Sequence, residues 1–187
     1  MDLPDTTRST RTVRVWDPFI RIFHWSLAFG MLAVWITSSW RSASHQWIGL
    51  AIGALLIGRI VWGFVGSNYA RFAQFQRGPQ SSIGYIYAIV KGSERRYLGH
   101  NPAGALMILA LIFTIAATVF SGWLMTTDTY FGDDTVQFLH RASAYSVVGL
   151  IIFHVGGVVL ASKRHNENLI KAMLTGEKRA PASDDIA

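Results

Sequence analysis

Cysteine is absent from all 187 residues of this chain. That excludes disulfides, thiolate-bound iron-sulfur clusters and thioether-attached c-type haem, so any metal must be held by His, Met or oxygen ligands. Charge is scarce as well: Asp, Glu, Lys and Arg make up 15% of the chain, against about 25% in an ordinary soluble domain. Acidic residues are the scarcer sign, 11 against 17 basic ones, for a net charge of +6. A signal-peptide pattern is also missing. The first hydrophobic run starts after roughly twenty polar residues, is rich in Trp and Phe, and has no small-residue cleavage site behind it, so the first helix is expected to stay.

What the chain has in abundance is apolar residues, 51% of the total, gathered into long runs. Residues 103–125 carry no charge over 23 positions and residues 142–162 none over 21. Residues 22–40 form a third run, and 46–65 a fourth in which Arg59 is the sole charge. Each is long enough to cross a hydrocarbon core of about 30 Å as a helix. The fold predicted is an all-α integral membrane four-helix bundle of up-down-up-down connectivity. The arm 1–11 is expected to be flexible, the membrane domain to occupy 12–175, and the polar tail 176–187 to be disordered. Within the long connection 66–102, the apolar, aromatic stretch 81–90 after Pro79 suggests a short interfacial helix. Gly99-His100-Asn101-Pro102 reads as the turn that launches the third span.

Basic residues set the orientation. Arg8, Arg11, Arg14 and Arg21 precede the first span; Arg71, Arg77, Lys91, Arg95 and Arg96 fill the middle connection; Lys163, Arg164, Lys171, Lys178 and Arg179 follow the last span. The other two connections hold Arg41 and Arg141, the latter set against Asp128, Asp133 and Asp134. Both termini are therefore expected in the cytoplasm, in the bacterial inner membrane. Basic residues scattered around membrane ends give no nucleic-acid surface.

Histidines carry the functional signal. His140 and His154 are fourteen residues apart, just short of four helical turns, so one helix presents both to nearly the same side about 21 Å apart. Ionisable residues inside a membrane mark function by default. His24 opens the first span on the cytoplasmic side and His45 opens the second on the outer side. Depth therefore pairs His24 with His154 and His45 with His140, which is what two bis-histidine haems require. Gly49, Gly53, Gly149, Gly156 and Gly157 offer room for a flat macrocycle, or close helix packing instead. Arg59 is fourteen residues after His45, near the depth of the cytoplasmic pair, where it either binds a haem propionate or snorkels to headgroups. His100 and His165 read as interface or solvated residues, with His100 also placed for a propionate or a quinone. Trp16, Trp25, Trp40 and Trp47 fit interfacial aromatic belts.

Several segments together resemble the prokaryotic cytochrome b561 family, which includes the cytochrome b subunits of nickel-iron hydrogenases. They are Val15-Trp16-Asp17-Pro18 with Arg21-Ile22-Phe23-His24-Trp25, then His45-Gln46-Trp47-Ile48-Gly49, then Gly58-Arg59-Ile60-Val61-Trp62-Gly63-Phe64-Val65-Gly66, and Gly99-His100-Asn101-Pro102. The resemblance covers about residues 12 to 175. It implies a membrane cytochrome with two b haems, ligated by His24, His45, His140 and His154, that moves electrons between the quinone pool and a periplasmic partner such as a c-type cytochrome or a hydrogenase. The acidic connection 126–137 would suit a basic partner. Two other classes compete: a superoxide:quinone oxidoreductase, and a non-redox transporter or assembly factor whose histidines relay protons or bind a metal ion. A homodimer is compatible with the sequence and not required by it.

Overall fold

The computed structural model describes residues 11–38, 43–75, 78–183 and 185–186. Arg8, Trp40, Arg41, Arg77 and residues 1–10 of the expected flexible arm lie outside them. The elements run β1 (Thr12–Arg14), α1 (Pro18–Thr37), α2 (Ala43–Val65), a 3-10 turn (Asn68–Ala70), α3 (Phe72–Phe75), α4 (Pro79–Lys91), α5 (Pro102–Leu124), α6 (Asp134–Arg164), α7 (Leu169–Thr175) and β2 (Glu177–Arg179). Four helices, α1, α2, α5 and α6, are long and apolar enough to cross a membrane, at 20, 23, 23 and 31 residues. Their outer surfaces expose Phe29, Ile57, Phe64, Phe113 and Phe153, a pattern that water would penalise and lipid does not.

Side-chain caps fix where these helices start. Asp17 accepts from the Ile20 amide at 2.9 Å with Pro18 in the first turn of α1, Asn101 accepts from Gly104 at 2.7 Å ahead of Pro102, and Asp133 accepts from Val136 at 2.8 Å. Each satisfies an amide that the first helical turn leaves unpaired. The caps also explain why α6 begins at Asp134, two turns before the apolar run at Ala142. Hydropathy marks the part of a helix in hydrocarbon, whereas the cap marks the helix.

Neighbouring helices pack as α1 on α2, α2 on α5, and α5 along α6. Ile52, Leu56, Ile115 and Val147 form the buried centre, flanked by Leu27, Met31 and Val34 of α1. Gly53 permits the α2–α5 approach, because a Cβ there would lie 3.0 Å from Val119 Cγ1. Among the described residues α6 makes at most marginal backbone approach to α1 and α2. α6 meets α1 and α2 through side chains rather than close backbone approach, and the site lies along those two faces.

One end of the bundle is closed by a polar cap. β1 pairs antiparallel with β2 in the register Thr12↔Arg179, Val13↔Lys178, Arg14↔Glu177. Beneath it Val15, Trp16, Ile20, Ala70, Leu98 and Ala172 form a second core. Trp16 is thus buried in that core, where the sequence suggests a belt position, because β1 turns it inward under α7. The expectation of a disordered tail is corrected too. Arg96 binds Glu167 at 2.7 Å and also pairs with Asp185, Lys178 lies 3.5 Å from Glu167, and the Lys178 ammonium donates to the Leu98 carbonyl at 2.9 Å. Ile186 continues the docking: its amide donates to Arg96 O at 2.9 Å, and its carbonyl accepts from Leu98 at 2.8 Å. Composition reads this tail as polar and unstructured; its polar groups are instead satisfied by partners about eighty residues earlier in the chain.

Burial raises the carboxyl pKa values of Glu167 and Asp185, but hydrogen bonds and the charge of Arg96, joined by Lys178 at Glu167 and by Arg179 at Asp185, outweigh it and hold both below their ordinary values of 4.5 and 3.8. Groups lowered in the folded state stabilise it fully above those ordinary values and lose that contribution as the pH falls through the lowered ones. Hydrogen-exchange protection of residues 177–186, corrected for intrinsic rates, should therefore be constant from neutral pH to about 5 and drop at more acid pH. Asp17 also accepts from Trp62 Nε1 at 3.1 Å and from Ser67. Asp17→Ala removes the α1 cap and orphans those donors, and a loss of about 2 kcal/mol is expected in detergent unfolding, with Asp17→Asn losing less.

Candidate functional site

Each histidine reaches its place for a local reason. His24 lies in the second turn of α1, held by the Asp17 cap and Pro18, and His45 falls in the first turn of α2. His140 and His154 are set by the continuous helix α6. The rings of His24 and His154 have centres 6.3 Å apart, inclined at 51°, and those of His45 and His140 are 6.2 Å apart at 79°. The two pairs expected from depth are thus brought together, one between α6 and α1 and the other between α6 and α2. No hydrogen bond joins the rings of either pair.

The spacing fits a metal between the rings. With each nitrogen about 2 Å from iron and each ring centre about 1 Å beyond its nitrogen, two imidazoles on opposite sides of one iron have centres about 6 Å apart. Among the described residues no three His, Asp or Glu converge as a metal cluster. A pair of histidines suits a metal whose remaining ligands come from a macrocycle.

Tautomers are prepared at one end. His45 Nδ1 lies 3.0 Å from the Val34 carbonyl and His140 Nδ1 lies 3.0 Å from the Thr118 carbonyl. Carbonyls only accept, so Nδ1 carries the hydrogen in both and Nε2 keeps the lone pair, the form in which neutral histidine ligates. Gly122 of α5 gives His140 its room, since a Cβ there would lie 3.0 Å from the ring. Sequence reasoning missed Gly122. Its signal was one helical turn beyond Thr118 in a span aligned with α6.

The other end is rich in donors. Arg59 is 4% exposed, donates from Nη2 to the Ala70 carbonyl at 3.2 Å and lies 4.9 Å over the Phe72 ring. Its guanidinium is thus held by the connection that follows α2. Arg59 Nη1, Arg21 Nε, Trp25 Nε1 and His24 Nδ1 are all buried without a hydrogen-bond partner among the described residues. Buried unsatisfied donors cost about 1–3 kcal/mol each, so a cluster of them fits an anionic acceptor such as a haem propionate. Of the flanking glycines, Gly53 packs on Val119, whereas Gly49, Gly149, Gly156 and Gly157 border open space.

His100 is neither solvated nor at a free interface. It sits 4.6 Å from the Trp16 ring, and burial, with the charges of Arg59, Lys178 and His154, pushes its pKa down to about 3. His165 belongs to the cap, where burial lowers its pKa against the opposing charge of Glu94. Trp47 is exposed at the start of α2, as a belt residue would be.

The profile of the family described as prokaryotic cytochrome b561 matches residues 15–176. Relatives described as probable Ni/Fe-hydrogenase B-type cytochrome subunits occur in several bacteria. That of Bradyrhizobium diazoefficiens is 21% identical over 214 residues, covering 90% of this chain and 86% of its own length. That of Rhizobium leguminosarum bv. viciae is 21% identical over 217 residues, with 90% and 89% covered, and that of Azotobacter vinelandii 20% over 224, with 94% and 92% covered. With four membrane-spanning helices, and a family match that takes in all four histidines and Arg59, this multi-pass membrane protein belongs to the prokaryotic cytochrome b561 family of haem-binding, electron-transferring b-type cytochromes.

Proposed function

We propose that the chain is a di-haem b-type cytochrome that passes electrons between the quinone pool and a redox partner on the outer, periplasmic face of the membrane. The observation that carries this reading is the pair of His-His ring separations of 6.3 and 6.2 Å at two levels of α6. His24 and His154 are the ligands of one haem, and His45 and His140 of the other. Haem b held by these histidines would supply one-electron exchange.

The residues of the chain do the rest. Val34 and Thr118 orient the outer imidazoles through their carbonyls. Arg59 neutralises a propionate of the inner haem, and Arg21 and Trp25 contribute donors beside it. Basic residues of the cap keep both termini and the 66–102 connection on the cytoplasmic side, which makes the bundle up-down-up-down. On that side α4 lies in the interface, its apolar face formed by Ile83, Tyr87 and Val90. Arg21, Arg59 and His100 are the polar groups there that a quinone carbonyl can meet.

At the opposite end Asp128, Asp133 and Asp134 surround the exposed Tyr130 and Phe131. An aromatic tip with an acidic rim suits a basic partner, such as a c-type cytochrome or the electron-carrying subunit of a hydrogenase. The relatives described as hydrogenase cytochrome subunits favour the hydrogenase class.

His24→Ala and His154→Ala should each abolish the same haem signal in low-temperature difference spectra, and His45→Ala and His140→Ala the other; four equal losses would refute the pairing. Arg59→Leu removes a buried positive charge that favours the reduced state. It should lower the midpoint of the inner haem by roughly 60 mV, a tenfold shift for a one-electron couple, and leave the outer one unchanged in a redox titration.

A further inference from the structure

The cap holds a pocket that the haem reading does not use. Its volume is about 490 Å³, within the range of small-molecule sites. Three segments build it: residues 93–96 after α4, the end of α6 through Asn166, and the tail around Arg179 and Asp185. Asn166 makes the turn with φ 48, a left-handed conformation that asparagine tolerates better than most residues.

Its walls are positive. Arg95, Arg96, Arg164 and Arg179 line it against two carboxylates, Glu94 and Asp185. Arg96 is committed to Glu167, Asp185 and the Arg179 carbonyl. Arg164 uses Nη1 alone, toward Glu94 at 2.8 Å and the Ile89 carbonyl at 2.5 Å. The other nitrogens of Arg164 and the guanidinium of Arg179 engage no acceptor among the described residues. Planar guanidinium forks match phosphate oxygens in geometry as well as charge.

The position of the pocket selects the source of the phosphate. Arg164 ends the spanning helix α6 and touches the last turn of α4, whose Ile83, Ile86, Tyr87 and Val90 follow helical spacing and are 43–77% exposed. An apolar face therefore runs up to the mouth of a basic pocket at the end of a membrane span. A soluble anion has no use for that face, whereas a phospholipid fills both. We infer that this pocket binds the phosphodiester headgroup of an anionic phospholipid, with the acyl chains lying along the Ile86 and Val90 face of α4. The inference rests on the membrane placement of the chain and is independent of how its haems are held.

The test uses the haem-loaded full chain in neutral detergent, titrated with phosphatidylglycerol, phosphatidylcholine and sodium pyrophosphate, with binding read by native mass spectrometry. Phosphatidylglycerol should bind in preference to phosphatidylcholine, and Arg179→Gln should weaken it about fivefold, since the backbone of that residue still supplies its β2 contacts. Val90→Asp, on an exposed position, should weaken the lipid and leave pyrophosphate unaffected. Unchanged haem absorbance shows that each variant is folded. Equal binding of the two lipids, equal binding by wild type and both variants, or a site filled by pyrophosphate alone would each overturn the inference.

Discussion

Hydrocarbon offers no hydrogen bonds, so every polar side chain inside a span must find its partner within the molecule or in something the molecule holds. That constraint organises this chain. Four spanning helices satisfy their own backbones, and their threonines and serines bond back to carbonyls one turn earlier, as Thr114, Thr118 and Ser121 do in α5. The side chains left over are two pairs of imidazoles, with Arg59, Arg21 and Trp25 each keeping a buried nitrogen that no described residue accepts. The imidazoles face each other from α6 to α1 and from α6 to α2.

The two ends of the bundle solve the problem differently. At the His45–His140 end backbone carbonyls hold both Nδ1 atoms and Gly122 shapes the space beside His140. At the His24–His154 end the donors are in excess, with Arg59, Arg21 and Trp25 each presenting a buried nitrogen that no described residue accepts. The second core and the Arg96, Glu167, Lys178 and Asp185 network close that end from the water side. Removing one member of such a network leaves a buried charge unpaired, which costs more than the pair itself contributes.

Much of this is legible in the sequence, because membrane spans and histidine depth both follow from one-dimensional rules. Residue spacing along α6 and the scarcity of charge suffice to pair His24 with His154 and His45 with His140. The caps Asp17, Asn101 and Asp133 emerge only with the structure, and hydropathy alone starts α6 two turns late. The cap was not legible. Lys178 and Asp185 look like solvated tail residues until Leu98, Arg96 and Glu167 are placed beside them, and contacts across eighty or more residues leave no local pattern. Trp16 misleads for the same reason: a tryptophan before a span usually marks an interface, and here a strand pairing turns it into a core.

The central claim is that each gap between facing histidines holds one six-coordinate haem. Haem content per chain, measured by pyridine haemochrome on protein purified with ample haem and read together with its electron paramagnetic resonance spectrum, tests it most directly. Two haems per chain, both low-spin, are expected. One haem or none per folded chain, or a dominant high-spin signal, would contradict the account.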